Sequence, residues 1–313
     1  MVNIFMGSGF FAFQLFELLH DKGFEIQTVV TRPDRPSGRG LHYEATPVKV
    51  AAGERGIPVL EYGDLKGEEK LEPLRSLVPD FILVADFGLI LPEEVLGIPV
   101  KGCINVHPSL LPRYRGSAPM QRALMDGAEA TGVTLILMDK GMDTGPIVSQ
   151  TELKMSVDEN LATLCDELAH LAAEMVMEAL PRFASGEIAP MPQDPAEATY
   201  AAPISKSDLV IDWSSEAPKI RNHIRALSPR PGAFSCFRGK RTKILAARTG
   251  PEVSGSAPGE IAEVAKSNFD VACLSGSLTI ESVQPEGKKV MAAAEFIRGY
   301  RPQVGETFKE PHP

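Results

Sequence analysis

Three polar residues stand out by type and spacing: Asn105 and His107, two positions apart, and Asp143 further along the chain. Cys103 to Val106 reads as a short strand, which Pro108 ends because it lacks a backbone donor. Side chains two apart on a strand point the same way, so the Asn105 amide and the His107 imidazole face one spot. That spot lies at the carboxyl end of the strand, where open α/β sheets bind ligands. Val133 to Met138 is also apolar and β-prone, and it leads into a turn-rich loop with Gly141, Asp143, Thr144 and Gly145. If the two strands are neighbours, Asp143 meets Asn105 and His107 from the side. An amide, an imidazole and a carboxylate around one pocket suit acyl transfer. The first two stabilise a developing oxyanion, and the third orients the imidazole or takes a proton.

Taken singly, each residue has a plainer use. A histidine at a strand end is commonly structural, and an Asp before Thr-Gly commonly caps its own turn. The flanking sequences favour chemistry. Asn105-Val-His-Pro-Ser-Leu-Leu-Pro-Arg-Tyr-Arg-Gly116, followed by Asp139-Lys-Gly-Met-Asp-Thr-Gly145, resembles the signature of the formyltransferases that use 10-formyltetrahydrofolate. The resemblance implies that Asn105, His107 and Asp143 are catalytic and that Ser109, Leu110, Leu111 and Pro112 form the folate-binding loop. It also implies a folate cosubstrate as formyl donor and no metal. Pro108 stands where many members have glycine, which leaves the trio untouched.

A second stretch narrows the resemblance. Thr31-Arg-Pro-Asp-Arg-Pro-Ser-Gly-Arg-Gly40 is long, basic and rich in proline and glycine. By composition alone it is a solvated loop, yet three arginines make it a plausible phosphate-contacting arm. It is similar to the inserted loop of those family members that formylate the methionine carried by initiator tRNA. The resemblance implies that Arg39 and Arg35 contact the tRNA acceptor arm and that Phe11 helps line the methionyl or acceptor-end site. The chain continues Leu41-His42 where many members have two lysines.

These residues need a scaffold. Val2 to Met6 reads as a first strand leading through Gly7-Ser-Gly9-Phe-Phe-Ala12 into a helix marked by Leu15, Leu18 and Leu19. Formally this is a dinucleotide fingerprint. The second strand, Ile26 to Val30, ends in Thr31-Arg32-Pro33 where such a site wants an acid, so an NADP enzyme using Arg32 is a minor rival. Ile57 to Leu60 and Phe81 to Ala85 are short and continuously apolar, as buried parallel strands are. Asp86 to Pro92 is expected to border the folate pocket. Strand and helix alternate, which argues for a doubly wound, Rossmann-like α/β domain.

Ser156-Val-Asp-Glu159 has the pattern of a capping box opening a long helix with an apolar stripe from Leu161 to Leu180. The stretch from 189 to 206 is rich in proline and lacks periodicity, so it reads as a linker between a catalytic domain, 1–188, and a second domain, 207–313. The second domain has one helix, Ala217 to Leu227, and then short strands with glycine turns, which suggest a small β-barrel. The family resemblance implies a barrel of oligonucleotide-binding (OB-like) type.

Charge supports a nucleic-acid partner for that second part. The whole chain carries −9, but from Leu209 onward 15 Lys and Arg stand against 11 Asp and Glu, a net of +4, leaving −13 before it. Between Lys219 and Arg248 there are nine basic residues and no acid, as a phosphate-tracking face requires. Lys240, Arg241 and Lys243 are the tRNA-binding candidates within it. The partner implied is initiator methionyl-tRNA. A sugar-nucleotide formyltransferase would share the trio but ignore tRNA, and a pure RNA-binding module would not need the trio.

Apolar residues make up 43% of the chain, and no apolar run reaches the ~20 residues of a spanning helix. The start lacks a basic leader region. A cytoplasmic monomer without a membrane partner is expected. The four cysteines, 103, 165, 236 and 273, lie far apart and are expected to be free thiols.

Overall fold

A computed structural model describes residues 1–37 and 42–309, so Arg39 and Leu41 lie outside the described residues. The chain divides into two compact units. The first comprises Met1–Pro119, Ala130–Lys154 and Cys165–Ala201, and the second comprises Met120–Glu129, Met155–Leu164 and the chain from Ala202.

The first unit is built on β1 (Asn3–Gly7), β2 (Thr28–Thr31), β3 (Val59–Glu61), β4 (Phe81–Ala85), β5 (Cys103–His107), β6 (Ala130–Leu137) and β7 (Ile147–Lys154). They lie in the order β7-β6-β5-β4-β1-β2-β3. The five from β3 to β5 are parallel, which gives the doubly wound α/β sheet. Every residue of β1 and β4 is buried, which explains the apolar runs Ile4 to Met6 and Phe81 to Ala85. β6 and β7 extend the sheet antiparallel, with Asn105 opposite Ile136 and His107 opposite Thr134.

Helix α1 (Phe10–Asp21) buries Phe11, Ala12, Leu15, Phe16 and Leu19. Phe11 is the residue expected to line the methionyl or acceptor-end site. Its ring is 1% exposed, inside the core, whereas its neighbour Phe10 is 55% exposed. Phe11 lies on the helix face that carries Leu15 and Leu19 at three- and four-residue spacing, so packing claims it.

Residues 189–201 cluster with the first unit, although their composition reads as a linker. Met191 exchanges backbone hydrogen bonds with Ile147, and Tyr200–Ala201 pairs in parallel with Arg115–Gly116. The long helix α2 (Leu161–Ala184) starts later than the Ser156 capping pattern suggests. Asn160 Oδ1 accepts from the amides of Ala162 and Thr163, so Asn160 is the cap.

The second unit contains α3 (Ala217–Leu227), α4 (Ala293–Tyr300) and strands β8 (Ala233–Phe237), β9 (Lys240–Thr249), β10 (Ile261–Val264), β11 (Phe269–Ala272), β12 (Ser277–Pro285) and β13 (Phe308–Lys309). The antiparallel order is β10-β11-β12-β9-β8-β13. The two edges meet, since Phe308 donates to the Gly259 carbonyl and Ile261 to that of Glu306, each at 2.8 Å. A closed OB-like barrel results. Phe237, Phe269, Phe296 and Phe308 fill it, with the Phe269 and Phe308 rings stacked 6.0 Å apart.

Within this unit Arg122 donates to both carboxylate oxygens of Asp208, at 3.2 and 3.1 Å. That guanidinium, with added bonds from Ser205, holds the Asp208 carboxyl down at about 2. An unfolded chain takes up the proton near the ordinary carboxyl value, so the stabilisation is complete above about pH 4 and is lost as pH falls toward 2. Asp208→Asn is therefore expected to cost about 2 kcal/mol at pH 7 and little at pH 2. The urea midpoint from Trp213 fluorescence at both pH values checks this, because Trp213 is the chain's single tryptophan and packs on Phe308 in the same unit.

Candidate active site

The sheet brings Asn105, His107 and Asp143 together. Asn105 Nδ2 donates to Asp143 Oδ1 at 3.0 Å. A carboxylate can only accept, so the amide nitrogen faces it and one Asn105 N–H remains unspent by that bond. The Gly116 amide donates to Asp143 Oδ2 at 2.8 Å. His107 Nδ1 lies 3.7 Å from Asp143 Oδ2, too far for a hydrogen bond but close enough for attraction when the ring is charged. His107 Nε2 is 2.9 Å from the Tyr114 carbonyl. That oxygen accepts, so Nε2 carries the hydrogen and Nδ1 of the neutral ring turns its lone pair toward the carboxylate. The His107 and Asp143 side chains are 5% and 14% exposed, which leaves them little water to compete with a reactant.

The plainer reading of Asp143 as a turn cap is decided by Asp139. Asp139 Oδ1 accepts from the Gly141 amide at 2.9 Å and from Thr144 Oγ1 at 2.7 Å, so Asp139 caps the turn and frees Asp143. Asp143 sits at φ 54, the left-handed region, which Asp tolerates better than most residues. Its approach differs from that of a neighbouring parallel strand. Because β6 is antiparallel, its carboxyl end lies beside the amino end of β5, with the Met138 amide bonded to the Cys103 carbonyl. The loop from 138 to 146 doubles back, and Leu137 accepts closure by donating to the Pro146 carbonyl.

What holds that loop is a residue with no visible signal in the sequence. Gln193 Nε2 donates to the carbonyls of Asp143 at 2.8 Å and Gly145 at 2.7 Å. Its Oε1 in turn accepts two bonds from the buried Arg115 guanidinium, at 3.1 and 2.7 Å. Arg115 and Gly116 belong to the quoted signature, yet nothing in their type announces these roles. Gly116 has φ 119, and a Cβ there would meet the Ala201 carbonyl oxygen at 2.7 Å, so only glycine can present this amide to Asp143.

Ser109, Leu110, Leu111 and Pro112 form one loop beyond β5. Ser109 and Leu111 are 0% and 3% exposed, and Ser109 Oγ donates inward to the Arg113 carbonyl, so these two side chains shape the loop from within. Leu110 and Pro112 are half-buried and keep accessible apolar surface. Thr134 pins the loop by donating to the Ser109 carbonyl and accepting from the Leu111 amide. Arg35 is exposed on a ribbon formed by Arg35–Ser37 and His42–Glu44. Among the described residues no cluster of three or more His, Cys, Asp or Glu is arranged to hold a metal.

The barrel sorts its basic run. Arg221, Arg238 and Arg248 pair with Asp158, Glu306 and Glu281. Among the described residues Lys240, Arg241 and Lys243 pair with no carboxylate, and Lys240 is exposed at the hairpin turn. Arg241 lies 3.5 Å over the Phe234 ring. Burial, then Arg241 and Arg230, pushes the Lys243 ammonium below its ordinary value. Uncompensated cations close together are what an anionic polymer would relieve.

Comparison with known proteins gives the family. Residues 1–180 match the family model described as formyl transferase, and residues 203–301 match the one described as formyl transferase, C-terminal domain. A methionyl-tRNA formyltransferase of Citrifermentans bemidjiense is 44% identical over 303 residues, 96% of this chain and 94% of that protein. One of Carboxydothermus hydrogenoformans is 45% identical over 287 residues, covering 91% and 92%. Among solved structures, HypX from Aquifex aeolicus in complex with tetrahydrofolic acid shares the fold, with TM-score 0.66, 19% identity, and coverage of 97% of this chain and 48% of that one. No helix among the described residues is long and apolar enough to cross a membrane.

Gln193→Ala is expected to release the loop while leaving the core intact. Hydrogen exchange at residues 143 and 145 should quicken by about tenfold, the loss of roughly 1.4 kcal/mol of local protection, with the melting temperature nearly unchanged.

Proposed function

We infer that this chain, which belongs to the formyl transferase family, transfers the formyl group of 10-formyltetrahydrofolate to the α-amino group of methionine esterified to initiator tRNA. The observation that carries the chemistry is the bond from Asn105 to Asp143. It spends one amide hydrogen on the carboxylate and leaves the other for an oxyanion. Relatives 44–45% identical over more than nine-tenths of the chain bear the name methionyl-tRNA formyltransferase, which supports the substrate. The unpaired cations Lys240, Arg241 and Lys243 support a tRNA partner from the barrel side, and Arg35 does so from the first unit. Arg39 is proposed for the acceptor end on the resemblance alone. The reaction belongs in the cytoplasm with its tRNA.

The residues present fit a folate-borne formyl group. Leu110 and Pro112 offer apolar surface, and Asn105 offers an unspent donor. When bound, the folate supplies the formyl carbon. Asn105 holds the formyl oxygen, and its hydrogen bond strengthens as negative charge gathers there. His107 takes a proton on Nδ1 as the attacking nitrogen sheds it, and the imidazolium is held between the Tyr114 carbonyl and the Asp143 carboxylate. His107 then returns the proton to the departing folate nitrogen. Asp143 acts by fixing the amide and balancing the ring's charge.

Purified chain supplied with formyl donor and charged initiator tRNA is expected to yield formylmethionyl-tRNA and to leave amino-sugar nucleotides unmodified. Asn105→Ala and His107→Ala should each lower kcat by about 10²–10³-fold, the loss typical for one oxyanion donor or one general acid–base group. Retention of full turnover by either variant would remove the mechanism.

A further inference from the structure

Asp143 is a poor partner for the incoming amine, because Oδ1 is held by Asn105 and Oδ2 by Gly116. A second carboxylate lies on the same edge of the sheet. β4 and β5 run parallel with Val84 opposite Asn105, and Asp86 follows two residues beyond Val84. Asp86 thus emerges one strand away from the trio, at φ 40. It lines a cleft of about 250 Å³ together with Ser8, Gly9, Arg32, Phe87 and Gly88, among others. From β1 the chain passes to β2 on one side and later to β4 on the other, so the cleft occupies the point where the strand order reverses.

Four charged residues line this cleft, Arg32, Arg35, Glu44 and Asp86, and among the described residues Asp86 and Arg32 form no ion pair. The Asp86 carboxylate rests over Gly9, where a Cβ would lie 1.7 Å from its Oδ2, and it accepts the Phe11 amide in the first turn of α1. Among the described residues no cation pairs with it. Among the described residues Arg32 pairs with no carboxylate and its buried Nε has no hydrogen-bond partner, and its Nη1 lies beside Gly88. An anion and a cation facing one cleft, each lacking a partner, are the complement of a ligand with an ammonium at one end and an oxygen acceptor at the other. An aminoacyl ester has that pattern.

We propose that Asp86 is the residue that receives the methionyl α-amino group: its carboxylate holds the ammonium in the cleft and takes one of its protons. This rests on the formyl-transfer reading above. One N–H bond breaks and an O–H bond forms on Asp86, and the freed nitrogen pair forms the bond to the formyl carbon. The nitrogen's second proton passes by way of His107 to the departing folate nitrogen as its bond to the formyl carbon breaks. Asp86 gives its proton to water, so the sum is ammonium plus formyl donor going to formamide, free folate and one proton.

The local physics fits that task. Asp86 is open to solvent on one side, and where it meets the cleft wall desolvation raises its carboxyl to about 6, against the Phe11 amide, which lowers it. This narrows the gap to an α-amino group near 8 while leaving the carboxylate ionised at pH 7. The other groups facing Asp86 and its cleft are Arg32, Arg35, Glu44 and the Cys165 thiol. Burial pushes that thiol up to about 12 and so keeps it neutral.

Asp86→Asn tests the proposal. Asn tolerates the left-handed region and can still accept the Phe11 amide, so the charge goes and the cap stays. Expected are a kcat/KM for charged tRNA lower by about tenfold or more and a folate KM within about twofold. The acid limb of the pH profile should move from near 6 toward 8, the amine's own value. Asp86→Glu should recover part of the rate. An Asn variant with unchanged kcat/KM and an unchanged acid limb would overturn the proposal, as would a loss matched by a collapse of thermal stability. If His107→Ala is inactive while Asp86→Asn is normal, this proposal alone falls. If the wild-type chain formylates no charged tRNA, the functional reading falls first.

Discussion

A carboxylate with both oxygens committed is the constraint on which the catalytic unit depends. Asp143 can orient Asn105 only while Gly116 holds its other oxygen, and that amide is in reach only because Gly116 adopts a conformation closed to other residues. The same carboxylate faces the imidazole at 3.7 Å, a distance at which charge matters and hydrogen bonding does not. Its role is thus to fix an amide at all times and to balance a charge only when one appears. That division suits a reaction whose charged species is transient.

The parallel core and the trio were legible because their signals are local. Continuous apolar runs mark buried parallel strands, and two-residue spacing puts Asn105 and His107 on one face. The route by which Asp143 arrives was not legible. Nothing in Val133 to Met138 says that this strand runs antiparallel, so the loop's return over Leu137 had to be seen. Gln193 was hidden for a different reason. It lies in a proline-rich stretch without periodicity, where a tertiary hydrogen bond leaves no trace in composition. Phe11 carries two signals. A motif position suggested a ligand contact, while the helical spacing of Phe11, Leu15 and Leu19 already pointed inward.

In the barrel, composition announced the basic run but not its division of labour. Three of the nine basic residues pair with acids far away in sequence, which no local reading detects. Among the residues left over, Arg241 is supported by the Phe234 ring and Lys243 is pressed by Arg241 and Arg230. Cations kept together without acids gain from a polyanion what they lose in mutual repulsion.

The bonds from Gln193 have a temporal consequence. The chain emerges from the ribosome amino end first, and the trio is complete in the exiting polypeptide once Asp143 has been added. The glutamine that ties down the Asp143 loop, and the Tyr200–Ala201 strand that backs Arg115–Gly116, follow only after the whole of α2. The tie on the Asp143 loop is therefore made only after that helix has been synthesised.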